Sequence, residues 1–190
     1  MMNVEICEPH TPSLFVITGI MASGKSTIAQ LLAERFAKGV HVRGDVFRRM
    51  IVNGREEMSP DAPEEAMKQL NLRYRLAAGT ADAYVEAGFT TVIQDVVIGD
   101  VLQSFIQNFQ TRPLYLVVLC PRPDIVAERE ASRGKKGYGL WTVQDLDDGL
   151  RQGTPRIGMW LDSSDMTPEE TVDEIMRRAW TEAKIDTDYR

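Results

Sequence analysis

The chain has 190 residues, about one domain's worth, with enough apolar sequence to build a core without metal or disulfide staples. Its 22 basic and 28 acidic residues leave a net charge of −6, which excludes a broad basic face for non-specific binding to nucleic acid or acidic membranes. Only two cysteines occur, Cys7 and Cys120; no apolar run reaches membrane length and residues 1–13 lack a signal-peptide pattern, so the cytoplasm is the expected location.

After a loose leader, the apolar run Leu14-Phe15-Val16-Ile17 predicts a buried strand, and Ile28, Leu31, Leu32 and Phe36 recur at helical spacing. Between them Gly19-Ile20-Met21-Ala22-Ser23-Gly24-Lys25-Ser26 fits the pattern G-x-x-x-x-G-K-[ST] in the strand–loop–helix setting that the motif requires. Gly19 and Gly24 let the backbone wrap a phosphate chain, the helix N-terminus offers N–H groups and a positive dipole end, and Lys25 adds a mobile charge. Residues Gly19 to Thr27 are therefore expected to bind a nucleoside triphosphate, with Ser26 as a Mg²⁺ ligand.

A second short strand, Val40 to Val42, runs into Gly44-Asp45 and then Arg48 and Arg49. A carboxylate at a strand's carboxyl end, near the phosphate loop, is placed to take or orient the proton of an attacking hydroxyl; alternatively Asp45 simply caps the next helix. From about Ala62 to Glu86 the residues favour a long helix, which carries Arg73, Tyr74 and Arg75. The third strand, Thr90 to Gln94, closes on Asp95 in the manner of a Walker B acid that holds Mg²⁺ or its water, or else as a turn aspartate.

After the fourth strand, Leu114 to Leu119, the cations Arg129, Arg133, Lys135 and Lys136 are followed or interrupted by Gly134, Gly137, Tyr138 and Gly139. This reads as a mobile basic lid, with Arg129 and Arg133 on one helical face; the competing reading is a solvated helix end that complements the dipole. The last strand spans Ile157 to Leu161, and Thr167-Pro168-Glu169-Glu170 announces a final helix to about Ala183. With only His10 and His41 in the chain, a zinc site is not expected, and Trp141, Trp160 and Trp180 read as packing residues before base-stacking ones. The alternation of strands and helices predicts a parallel α/β sheet in a single domain over residues 1–190.

The loop Gly19 to Thr27, Gly44-Asp45-x-x-Arg48, Gln94-Asp95, Arg129 to Arg133 and Leu161-Asp162-Ser163-Ser164-x-x-Thr167-Pro168 together resemble the small P-loop kinases. The chloramphenicol phosphotransferase-like group looks closest, with gluconate kinase, shikimate kinase, the polynucleotide kinase domain and zeta toxin more distant. The resemblance implies a three-layer P-loop fold, with a five-stranded parallel sheet in the order 2-3-1-4-5, helices on both faces, an acceptor region at about 46–88 and a lid at about 129–153. It implies Asp45 as base, Lys25 with Arg129 or Arg133 on the phosphoryl group, Ser26 on Mg²⁺, and an adenine near Ser163, Ser164 and Arg129.

Residues diagnostic of chloramphenicol, gluconate or shikimate are not recognised in 46–88, which mixes Phe47, Met50, Ile51, Met58 and Met67 with Arg48, Arg49, Arg55, Arg73 and Arg75. That mixture suits a small polar or partly apolar alcohol, with Arg48, Arg49 and Arg73 as contacts. The expected function is ATP-dependent transfer of the γ-phosphate to a small molecule's hydroxyl, an antibiotic being one candidate. A nucleotide-dependent switch is a second reading, weakened because N-K-x-D and L-S-G-G-Q elements are absent. A kinase acting on a nucleic-acid end or a peptidoglycan precursor is a third.

Overall fold

Runs of apolar residues alternate along the chain with segments of helical period, and the elements follow that pattern. The computed structural model describes residues 11–133 and 138–185. In chain order these form β1 (Leu14–Gly19), α1 (Lys25–Glu34), β2 (Gly39–Arg43), α2 (Gly44–Arg49), α3 (Glu64–Glu86), β3 (Thr90–Gln94), α4 (Val101–Gln107), β4 (Leu114–Leu119), α5 (Pro123–Ala131), α6 (Val143–Gly153), β5 (Met159–Leu161), α7 (Pro168–Glu182) and β6 (Lys184–Ile185). Cys7, His10, Gly134, Lys135, Lys136, Gly137 and the tail from Asp186 lie outside the described residues.

Five strands run parallel in the predicted order β2-β3-β1-β4-β5, and the short β6, not anticipated, adds antiparallel to β4. Successive residues of a strand point to opposite faces, and each face of this sheet is covered. Leu14 and Val16 enter a layer with Tyr74, Ala77 and Ala81 of α3 and Phe105 of α4, while Phe15 and Ile17 meet Leu32 of α1 and Ile175 of α7. That double burial is why β1 and β4 read as continuous apolar runs. Trp180 serves the second layer, edge-on to Phe15 and Tyr115 at centroid distances of 5.4 and 5.0 Å.

Thr167 caps α7 as its sequence predicts: its hydroxyl accepts from Glu170 N at 3.2 Å and Glu170 Oε2 accepts from Thr167 N at 2.8 Å. The exit of β3 is tied to β1, since Asp95 N donates to Ile17 O at 3.2 Å. Thr18 Oγ1 then accepts from Val97 N at 3.0 Å and donates to Val97 O at 2.8 Å. These bonds hold the carboxyl ends of β1 and β3 side by side, the place where parallel sheets bind ligands. No described helix is long and apolar enough to cross a membrane.

Candidate active site

Between β1 and α1 the backbone folds back tightly. Gly19 and Gly24 have φ of 145° and 96°, and a Cβ on Gly19 would stand 2.4 Å from Leu119 O and 2.8 Å from Ser23 Oγ. Glycine is required at that position on both counts. Ala22 also has a positive φ, 61°, a conformation that costs a non-glycine residue about 1 kcal/mol or more. Helix α1 starts at Lys25 with Gly24 as N-cap and no side-chain cap bond, so its first N–H groups and the positive dipole end face the loop. Ser26 and Thr27 are exposed on its first turn, and Ser23 Oγ is buried without a hydrogen-bond partner. Ile20 is buried beneath the loop, with Met21 and Ala22 half-buried above it.

Lys25 is 7% exposed and donates from Nζ to Ile20 O at 2.6 Å. Burial, with the Arg133 and Arg73 guanidiniums near enough to repel it, lowers its ammonium from 10.5 to about 7. The loop is thus built around a buried amine that makes no ion pair among the described residues, and a phosphate chain would favour its charged form.

Asp95 stands at the end of β3, its carboxylate side chain 2% exposed. It receives Arg73 of α3 on both oxygens, with Nε to Oδ2 at 2.8 Å and a second, shorter contact from the terminal nitrogen to Oδ1, and it accepts Val96 N at 2.7 Å. Arg73, expected as a substrate contact, is therefore engaged by Asp95 and sits half-buried. Burial lowers its pKa, and the charges of Asp45 and Arg48 act on it in opposite directions. Gly44 explains how the strand ends approach so closely: a Cβ there would lie 2.0 Å from Asp95 Oδ2. Sequence reasoning had no signal for that contact beyond the glycine itself.

Asp45 follows in the first turn of α2. Arg43 is the N-cap and no side-chain cap bond forms, so the carboxylate is not spent on capping. It pairs instead with Arg49 one turn on, its side chain 42% exposed, while Arg48 pairs with Glu57. Lys25, Arg73, Asp95 and Asp45 thus form a continuous patch of opposed charge across the ends of β1, β3 and β2. Ser26 and Asp95 are hard oxygen donors of the kind Mg²⁺ takes, but no cluster of three acidic, His or Cys groups occurs among the described residues. An ion held there would draw its remaining ligands from phosphate oxygens and water.

The basic segment after β4 divides in two. Arg129 donates to Ser163 O at 3.1 Å in the loop after β5. Helix α5 ends at Ala131, so Arg133 lies just past it; it pairs with Glu130 at 3.4 Å, and its charge reaches Lys25. Ser163 is buried, and Ser164 Oγ accepts from Arg122 N at 2.7 Å and donates to Asp162. Two contacts here were not anticipated. Tyr138 donates to Met21 O at 2.7 Å, tying the segment to the phosphate loop, and Arg151, paired with Asp147, donates to the carbonyls of Cys120 and Pro121 at 3.1 and 3.0 Å.

A family model described as an AAA domain matches residues 14–148. The chain belongs to this AAA domain family. The matched span of the AAA domain runs from β1 into α6 and includes the phosphate loop, Asp45, Asp95, Arg129 and Arg133. A UPF0200 protein of Aeropyrum pernix is 29% identical over 146 residues, covering 71% of this chain and 72% of that protein. Among solved structures, an unliganded sugar kinase from Janibacter sp. superposes with a TM-score of 0.67 at 19% identity, covering 90% of this chain and 96% of that one. The tunicamycin resistance protein of Deinococcus radiodurans gives 0.63 at 15% identity, covering 93% and 99%. At such identities the likeness is one of fold, and the AAA domain here has the fold of the small P-loop kinases.

Proposed function

We propose that this AAA domain is an ATP-dependent phosphotransferase that moves the γ-phosphate of ATP to a hydroxyl of a small molecule. The observation that carries the reading is Asp45: an accessible carboxylate, free of capping duty, one charge-step across Arg73 from the buried ammonium of Lys25. Likeness in fold to a sugar kinase and to a tunicamycin resistance protein supports a hydroxyl acceptor, an antibiotic among the candidates.

In this reading residues 19–27 wrap the triphosphate, with Lys25 and Arg133 on the transferring group and Arg129, Ser163 and Ser164 bordering the base. The acceptor oxygen forms a bond to the γ-phosphorus as the bond to the β–γ bridging oxygen breaks; ADP leaves, and the hydroxyl proton passes to Asp45. Mg²⁺, when bound near Ser26 and Asp95, neutralises phosphate charge and aligns the triphosphate. Direct ligation by Asp95 requires Arg73 to yield; ligation through water does not. Residues 46–88 supply the acceptor region, where Arg48 and Arg49 offer charge to an anionic substituent while Arg73 stays on Asp95, and 129–153 the lid, in one domain working in the cytoplasm.

The test is ADP release across a panel of sugars, nucleosides and antibiotic alcohols. Acceptor-stimulated turnover is expected, and Asp45→Asn should lower kcat about 10²- to 10⁴-fold with ATP affinity retained. Turnover indifferent to Asp45→Asn would remove the base, and nucleotide hydrolysis that no acceptor stimulates would favour a conformational switch instead.

A further inference from the structure

Helix α3 has two apolar stripes. The inner one, Tyr74, Ala77, Ala78 and Ala81, is buried against the sheet. On the far side Leu72, Leu76, Gly79, Ala83 and Ala87 are exposed, Leu72 by 40% and Leu76 by 46%, at spacings that keep them in one seam along the helix. A shallow, widely open groove of about 530 Å³ lies over this seam, lined by Leu76, Gly79, Thr80, Ala83 and Ala87 with Arg75 and Tyr84 at its edges. A Cβ added at Gly79 would meet nothing within 4 Å, so the groove is open there. A helix that is apolar on two sides buries one against its own core and needs another body for the second.

We propose that this face joins two copies of the chain in an antiparallel, isologous dimer. The seam is graded: large side chains, Leu72 and Leu76, lie towards its N-terminal end, and small ones, Gly79, Ala83 and Ala87, towards its C-terminal end. A two-fold axis between Gly79 and Thr80 sets Leu72 of one copy opposite Ala87 of the other and Leu76 opposite Ala83, so each leucine enters the groove of its neighbour. The same axis brings Arg75 beside Glu86 of the other copy, on one flank of the seam. Arg75 and Glu86 are about three turns apart on one helix and make no ion pair among the described residues, so both charges are available to the other copy. Parallel pairing would set leucine on leucine, glycine on glycine and Arg75 on itself. Complementarity of size and of charge about one axis is what an isologous contact requires. The inference is independent of the reaction proposed for the strand ends.

Sedimentation equilibrium of the full chain tests it. The expected result is reversible association to twice the 21.4 kDa of one chain, with a dissociation constant on the order of micromolar, as suits a contact at the small end of specific interfaces. Gly79→Arg, where the monomer has room, should raise that constant on the order of 30-fold or more while the diluted chain keeps its far-UV circular dichroism. Arg75→Glu and Glu86→Arg should each weaken association, and the chain carrying both should recover it. A mass that stays at one chain, a dimer indifferent to Gly79→Arg, or a double swap without recovery would overturn the proposal. So would a monomer in which Thr80→Cys is shielded from a thiol reagent, since a segment of the same chain would then cover the face.

Discussion

Arg73 on α3 grips both carboxylate oxygens of Asp95 at the end of β3, and the two side chains are 13% and 2% exposed. Asp95 is almost wholly removed from water and Arg73 largely so, and their desolvation is offset only while both are present. Removing one partner leaves a buried charge, so Asp95→Ala should cost about 3–5 kcal/mol in urea unfolding. Arg73→Met should also destabilise, and the double variant should cost less than the two together, by about 0.5–3 kcal/mol. Additive losses would mean that the pair contributes nothing as a pair.

Gly44 depends on that same carboxylate. Its missing Cβ leaves the space that Asp95 Oδ2 occupies, and the carboxylate is pinned by Arg73 and Val96 N. Gly44→Ala should therefore cost on the order of 1–3 kcal/mol in the natural chain, through overpacking. In an Asp95→Ala background the carboxylate is gone and only a tight contact at 3.1 Å with the remaining Cβ is left, so the same substitution should cost less, about 1 kcal/mol or under. Denaturant midpoints of the four chains check this; equal costs in both backgrounds would contradict it.

The lowered pKa of Lys25 predicts a pH dependence whose sign is opposite to that of an ordinary salt-bridged lysine. The folded value, about 7, lies below the unfolded 10.5. Below pH 7 the ammonium is charged in both states and the full cost of burying it is present. Between about pH 7 and 10.5 the unfolded chain holds a proton that the folded chain does not, so this residue's contribution makes the protein more stable as pH rises. Lys25→Met should flatten that slope in urea titrations at successive pH values. Binding of a triphosphate, by restoring the charge, should take up close to one proton near pH 8, readable by calorimetry in buffers of different ionisation enthalpy. No uptake would mean that Lys25 stays neutral or was already charged.

Tyr138 packs into the core at 8% exposure and spends its hydroxyl on Met21 O. Tyr138→Phe keeps the ring and leaves that carbonyl without this donor, at a cost of about 1 kcal/mol. Because Met21 lies in the phosphate loop, nucleotide affinity should fall with it, severalfold, in a fluorescent-nucleotide titration. Unchanged affinity with lowered stability would confine Tyr138 to packing.

The phosphate loop, the strands and the cap of α7 could be read from neighbouring residues because each rests on local rules: backbone freedom at Gly19 and Gly24, apolar period, and a hydroxyl three residues before a carboxylate. Asp45 and Asp95 were likewise marked by standing at strand ends. Their partners were not, since Arg73 lies 22 residues before Asp95 and Met21 lies 117 before Tyr138. Arg129 and Arg133 show the limit from the other side: a spacing of one turn implied one face, but α5 stops at Ala131, so one arginine turns to Ser163 and the other lies near Lys25. Periodicity and backbone sterics act over a few residues and are written in order along the chain. Pairing of buried charges acts through space, between whichever groups the packed sheet strips of water together, and so the charge patch at the ends of β1, β2 and β3 exists only once those strands lie side by side.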